Sequence, residues 1–157
     1  MQMRKVVPRS LISVLSGLII ILFSCVQGSC FDETESYLKA SLYSNSFSKV
    51  VAPDSLSLYG LNRDSIIYNK TAEVTLALIP LNDTAQTSTF VIKIDGITDT
   101  IEFRYSSYPH LISKECGYTY YHHLDSDPIF TKHIISEVII DNATVTNLKI
   151  ENITIKY

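Results

Sequence analysis

Three of the four histidines lie close to a cysteine and two aspartates, a combination of residue types that can bind metal or move protons. The residues are His110, Cys116, His122, His123, Asp125 and Asp127. Because adjacent residues on a strand point to opposite faces, His122 and His123 cannot both bind one ion without a bulge. Asp125-Ser126-Asp127 begins like a calcium loop but lacks its Gly and its distal Glu. We therefore predict surface histidines, with no metal and no cofactor.

Catalytic motifs are absent from the sequence, although serine and histidine are plentiful. No Gly-x-Ser-x-Gly elbow occurs, and such an elbow is what exposes a nucleophilic serine in many hydrolases. Cys116 would be a poor nucleophile if it is disulfide-bonded. We predict no catalytic residues.

Tyrosine is concentrated in one short part of the chain. The cluster comprises Tyr105, Tyr108, Tyr118, Tyr120 and Tyr121. Tyrosine presents a flat apolar face and a hydroxyl, which suits binding of glycans or proteins. It is also a favoured strand residue, and a sheet protein without Trp needs bulky side chains in its core. The sequence leaves both interpretations open, a binding surface and a structural one.

The N-terminus has the order of an export signal, with a basic head, an apolar run and a small residue before a cysteine. The apolar run, residues 11–23, would rise about 20 Å as a helix, which is short of a roughly 30 Å hydrocarbon core. Leu22-Phe23-Ser24-Cys25 resembles a bacterial lipobox. The resemblance implies a signal peptide over residues 1–24 and a lipid anchor on Cys25 that attaches the protein to a membrane. An ordinary secretory signal is the alternative.

The charge balance argues against nucleic acid as a partner. The formal net charge is −3, and three basic residues but no acidic one precede residue 25. Without that segment, 10 basic residues stand against 16 acidic ones, a formal charge of −6. A nucleic-acid-binding domain is expected to carry a basic face.

The remaining cysteines form a pair if Cys25 is acylated. Cys30 and Cys116 could then form a disulfide in an oxidising envelope compartment. Closing so long a loop could stabilise the fold by roughly 4–5 kcal/mol in the chain-entropy model. Two buried or free thiols are the alternative.

Residues 87–105 carry the strongest strand signal. Two alternating apolar runs flank Asp95-Gly96, and Asp-Gly in that position is typical of a type I′ hairpin turn. A two-residue loop predicts three pairs on one face, with Asp99 as the polar exception: Phe90–Ile101, Ile92–Asp99 and Ile94–Ile97.

Other runs of period two follow along the chain, at 38–43, 73–78 and 148–157, and shorter strands are expected at 55–59 and 65–68. The stretch 110–124 is expected to be extended, and 133–140 is apolar enough to be covered on both faces. Leu76 and Leu78 share one face and Ala77 takes the other, and the step from Ile150 to Ile153 predicts a β-bulge.

These eight or nine short strands, with no helical periodicity after residue 30, predict an all-β fold. We expect an antiparallel β-sandwich, Ig-like in general shape. The sandwich would cover residues 37–157 and follow a lipidated tether at 25–36.

Four tripeptides resemble the Asp-Ser/Thr-apolar acceptor motif of O-glycosylation in Bacteroidota. The acceptors would be Ser55, Ser65, Thr84 and Thr100. The alternative is that Asp followed by Ser or Thr caps turns before strands.

Several short motifs together carry a family resemblance. They are the lipobox Cys25, the early Cys30, 64–68 (DSIIY), 79–81 (IPL), 113–117 (SKECG) and 152–155 (NITI). With these motifs the chain resembles small Bacteroidota envelope lipoproteins that contain a domain of unknown function. The resemblance implies a membrane-anchored location in the cell envelope and supplies no catalytic residues.

The leading hypothesis is a lipid-anchored envelope β-domain that binds or assembles another envelope component, either a protein or a glycan. The alternative is an envelope enzyme acting on glycans. A pocket with convergent histidine and carboxylates would favour the enzyme. An exposed tyrosine patch or a free sheet edge would favour binding.

Overall fold

The computed structural model describes residues 29–62 and 66–157. The predicted signal peptide, Cys25 and Ser65 lie outside these residues. The chain divides into two units, Met1–Phe31 and Asp32–Tyr157. In the first unit, residues 29–31 are exposed. The second unit contains all the strands of the described chain.

Strands and turns make up the described part of the second unit, with no helix among them. In chain order the strands are β1 Tyr37–Ser44, β2 Lys49–Val50, β3 Leu56–Gly60, β4 Ile66–Thr71, β5 Leu76–Pro80, β6 Thr87–Ile94, β7 Ile97–Ser113, β8 Gly117–Leu124, β9 Ile129–Phe130, β10 Glu137–Ile140, β11 Thr144–Val145 and β12 Ile153–Lys156. They form two sheets whose apolar faces pack together. The predicted all-β sandwich is therefore confirmed.

The first sheet is built around β1. Its order is β10-β12-β1-β2, and β5 also pairs with β1. The alternating residues Leu38, Ala40 and Leu42 of β1 are fully buried, because this central strand turns one face to the opposite sheet. Strand β12 pairs with β1 in parallel, with Ala40 opposite Ile153. The sequence predicted antiparallel pairing throughout, so this parallel pair corrects that prediction.

The second sheet has the order β11-β8-β7-β6-β3-β4, with β9 beside β7. The β6–β7 hairpin is confirmed in its predicted register, with Ile94 opposite Ile97 and Ile92 opposite Asp99. Its turn has φ of 49° at Asp95 and 89° at Gly96. Positive φ at both turn positions is the type I′ geometry that favours Gly at the second.

Along β5 the predicted alternation is confirmed: Leu76 and Leu78 share the exposed face, while Ala77 and Ile79 face inward. Another local expectation, the β-bulge between Ile150 and Ile153, is wrong. The segment before β12 forms no bulged strand. Instead it is a loop held by the buried side chain of Asn152. The Asn152 side chain accepts the N–H of Lys39 and donates to the carbonyls of Asn142 and Thr144.

Asp99, the polar exception in the hairpin, is buried and binds the loop that precedes β10. Its carboxylate accepts hydrogen bonds from the Thr131 hydroxyl and from the backbone N–H groups of His133, Ile134 and Ile135. Burial by itself would raise the pKa of Asp99. The hydrogen bonds outweigh burial, with the one from the Ile135 N–H lowering the pKa most, and together they hold the pKa of Asp99 well below its usual range. One strand residue thereby orders the whole 131–135 loop.

Candidate functional site

The aromatic cluster lies on the hairpin formed by the second half of β7 and by β8. Strand β6 stops pairing with β7 at Arg104. From Tyr105 onward β7 pairs with β8 instead, ending at Ser113 opposite Gly117. Side chains along most of this stretch are exposed or half-buried. The hairpin therefore extends the second sheet beyond the buried core.

One edge of this hairpin is unpaired within the described chain. The N–H of Tyr105 donates to Gln86 O on the side of β7 that β6 occupies. Backbone groups alternate in direction along an antiparallel strand, so Pro109 turns its nitrogen to the same side. Since Pro has no N–H to leave unpaired, it suits an uncovered edge. This is a free sheet edge, one of the two features expected of a binding protein.

Tyr105 is a core residue, so its assignment to a possible binding surface is wrong. Its side chain is fully buried. Its hydroxyl accepts the N–H of Asn82 at 3.0 Å, donates to the carbonyl of Asn82 at 2.9 Å and lies 2.7 Å from Ser88 Oγ. A buried tyrosine needs such partners for its hydroxyl. Tyr105 thus fixes the loop that follows β5 to the base of the hairpin.

Tyr108 and Tyr121 lie opposite each other on one face of the hairpin, and their side chains pack against one another. Their rings meet edge to face, with centroids 6.1 Å apart. The ring of His110 stacks on Tyr121 at 4.1 Å, and the Tyr121 hydroxyl donates to Asn147 Oδ1. Burial raises the pKa of Tyr121, and Tyr108 adds to that effect. Tyr121 is thereby committed to internal contacts, whereas Tyr108 is still 42% exposed.

Tyr118 and Tyr120 lie on the opposite face and are open to solvent. They are 73% and 44% exposed. As residues i and i+2 of one strand they project in the same direction, about 7 Å apart along the strand. Tyr120 lies opposite Pro109 and Tyr118 lies opposite Leu111, which extends the apolar surface onto β7.

A groove of about 520 Å³ runs beside these two rings. It is lined by Thr34, Glu35, Ser36, Tyr37, Pro80, Leu81, Asp83, Cys116, Tyr118, Thr119, Tyr120 and His122. Three separate chain segments therefore contribute: residues 34–37, which end at the first residue of β1; Pro80 at the end of β5 with the loop that follows it; and Cys116 with β8. We call this the tyrosine groove.

His122 forms the inner end of the tyrosine groove. It is buried, whereas its neighbour His123 is exposed, so the predicted opposite orientation of the pair is confirmed. The prediction of surface histidines is wrong for His122. Its Nδ1 lies 2.9 Å from Ser107 Oγ. Burial lowers the pKa of His122, and the negative charge of Asp83 opposes that shift only in part. The imidazole is therefore held mainly neutral near pH 7.

The tyrosine groove also contains two carboxylates that the sequence did not single out as site residues. Glu35 gave no signal at all, and Asp83 appeared only as part of an acceptor tripeptide. Both line the groove because the segment before β1 and the loop after β5 approach β8 in the fold. Contacts between distant segments of this kind leave no local pattern.

The cysteines agree with the predicted pairing. Cys30 and Cys116 are both disulfide-bonded. Cys116 is half-buried in the turn between β7 and β8, where its N–H donates to Ser113 Oγ at 3.0 Å. A cysteine in this state is no nucleophile.

The four acceptor residues differ in their surroundings. Thr84 is exposed, and its hydroxyl donates to Asn82 Oδ1 at 2.8 Å. Ser55 is half-buried directly before β3, and Thr100 is half-buried within β7. Ser65 lies outside the described residues. Among the described three, Thr84 alone has an exposed side chain.

Two further observations concern the described residues, 29–62 and 66–157. No three side chains of His, Cys, Asp or Glu converge there in a way that could hold a metal ion. The same residues include no helix with the length and apolar character needed to cross a membrane.

The fold and groove define an all-β two-sheet domain that carries an extended, aromatic hairpin. The chain belongs to DUF6452, a family of unknown function whose match covers residues 55–157. The matched range includes Asp83, Tyr118, Tyr120 and His122 but not Glu35. Comparisons with curated proteins and with solved structures give no significant match.

Proposed function

We propose that this protein is a lipid-anchored envelope β-domain that binds another envelope component through the tyrosine groove. The observation that carries the proposal is the pair of exposed rings, Tyr118 and Tyr120, beside a groove at the end of a hairpin. Exposed tyrosines on a rigid strand lose little conformational entropy on binding and provide large contact areas. The lipobox at Cys25 supports the envelope location.

The test is to purify the native lipoprotein from solubilised envelopes and identify what co-purifies. The variant Tyr118→Ala/Tyr120→Ala should lose a partner that the unchanged protein retains. Phe47→Ala is the matched control, because Phe47 is a 66% exposed aromatic residue in the turn between β1 and β2. Equal recovery of every co-purifying component from the tyrosine variant and the control would refute the proposal.

A second function has one observation in its favour. The tyrosine groove brings His122, Asp83 and Glu35 to one surface, and histidine with carboxylates can perform acid–base chemistry on a glycan. Release of reducing ends from envelope glycans, lost in His122→Gln, would favour this enzyme over the binding protein. Absence of release by the purified protein would leave binding as the function.

A further inference from the structure

The charged side chains that line the tyrosine groove are all negative. Of its twelve lining residues two are carboxylates, Glu35 and Asp83, and none is Lys or Arg. Within residues 29–62 and 66–157, the ion pairs join other groups, so neither carboxylate is paired with a cation. His122, the one base of the lining, is held mainly neutral by burial. The groove is thus lined by three tyrosines, Tyr37, Tyr118 and Tyr120, and by two carboxylates that have no counter-charge.

We propose that the tyrosine groove binds a cationic peptide segment, with a Lys or Arg side chain lying against Tyr118 and Tyr120. This inference rests on the proposed function and names the chemical class of its ligand. The carboxylates of Glu35 and Asp83 supply the opposite charge for the bound side chain.

The physical basis is the combination of rings and acids in one groove. A Lys or Arg cation over a tyrosine ring is attracted by the negative face of the ring, most strongly where water is displaced. A carboxylate within reach adds a charge-assisted hydrogen bond, which for Arg can be bidentate. An anionic ligand would be repelled by both acids, and a neutral one would leave the two charges without a partner.

The direct experiment measures binding of labelled peptides to the full-length protein in detergent at about 0.15 M salt. The probes are a tetra-arginine peptide, a tetra-glutamate peptide and a neutral tetrasaccharide. The protein should bind tetra-arginine and neither of the others. Binding of the tetrasaccharide without tetra-arginine would overturn the inference in favour of a glycan site.

Paired charge variants separate the groove from the overall negative charge of the protein. Glu35→Gln/Asp83→Asn should weaken tetra-arginine binding about tenfold. Asp54→Asn/Glu73→Gln removes the same charge from two exposed positions outside the groove and should change the affinity less than about twofold. Equal losses in the two variants would overturn the inference, because attraction would then depend on net charge alone.

The aromatic contribution is measured in the same titration. Tyr118→Leu/Tyr120→Leu should weaken tetra-arginine binding about fivefold, and Phe47→Leu should leave it unchanged. If Glu35→Gln/Asp83→Asn still co-purifies the partner that Tyr118→Ala/Tyr120→Ala loses, the proposed function stands and the cationic ligand is refuted. If no partner depends on the tyrosines, the proposed function itself fails.

Discussion

The ring of Tyr105 meets the ring of His122 edge to face, with the centroids 5.4 Å apart. Tyr105 belongs to the core, and His122 lines the inner end of the tyrosine groove. The same face of the hairpin is therefore apolar core at its base and open groove further out. This contact sets the boundary between the part of the hairpin that stabilises the fold and the part available to a ligand.

Tyr105→Phe should lower the free energy of unfolding by about 1–3 kcal/mol. The substitution removes the hydroxyl that serves both backbone groups of Asn82, which leaves these half-buried polar groups without that partner. Tyr59→Phe, at a half-buried tyrosine of β3, is the control and should change stability by less than about 0.5 kcal/mol. Denaturant titration measures both. Equal stability of the two variants would contradict the role of the hydroxyl.

Asp99→Asn should lower the free energy of unfolding by about 2–4 kcal/mol, because an amide cannot accept all the hydrogen bonds that the carboxylate receives. The cost should depend on pH. Since folding lowers the pKa of Asp99, its contribution is complete above the unfolded pKa of about 4 and is lost as the pH falls below it. The gap in stability between the unchanged protein and the variant should therefore be present at neutral pH and shrink as the pH falls below about 4. A gap independent of pH down to about pH 2 would show that the charge contributes nothing.

Cys116→Ser should lower the melting temperature and abolish a disulfide-linked peptide in non-reducing peptide maps. The free energy of unfolding should fall by at most about 4–5 kcal/mol, because the disulfide closes a long loop in the unfolded chain. Reduction of the unchanged protein should reproduce the effect. Ready alkylation of Cys30 and Cys116 without reductant would show that the bond does not form in the cell.

Cys25→Ala should release the protein from the membrane fraction or leave the signal peptide uncleaved. Cys25 alone follows the apolar segment with a small residue before it. Cell fractionation and the mobility of the processed form measure the outcome, and Cys30→Ala provides the control for loss of a nearby cysteine. Normal processing with full membrane retention in Cys25→Ala would refute the anchor.

In a Bacteroidota host, intact mass should reveal a glycan first at Thr84. Its side chain is exposed, whereas Thr100 lies half-buried in β7. Thr84→Ala should remove the added mass, and Thr100→Ala should not. An intact mass equal to that of the mature chain plus its lipid alone would exclude glycosylation.

The sequence predicted those parts of the structure that depend on neighbouring residues. Alternation around Asp95-Gly96 gave the β6–β7 hairpin with its register, since the turn type and the buried face act together. The adjacent residues His122 and His123 were correctly predicted to face opposite ways, because side chains alternate along a strand.

Other features depend on residues far apart in the chain and could not be predicted. Asp99 appeared as a mismatch in the strand, because its partners in the 131–135 loop are brought to it by the fold. The parallel pairing of β1 with β12 joins the two ends of the domain. Likewise, the tyrosine cluster left a binding surface and a structural role both open. Only the fold separates buried Tyr105 from exposed Tyr118 and adds Glu35 to the groove.

Site-specific photocrosslinking in living cells tests most directly that the tyrosine groove is a binding site. A benzophenone amino acid at position 118 should give a discrete crosslinked species, and the same group in place of Phe47 should not. Adding Tyr120→Ala to the position 118 protein should reduce the yield of that species. A crosslinked species at position 47 alone, or none at position 118, would contradict the account.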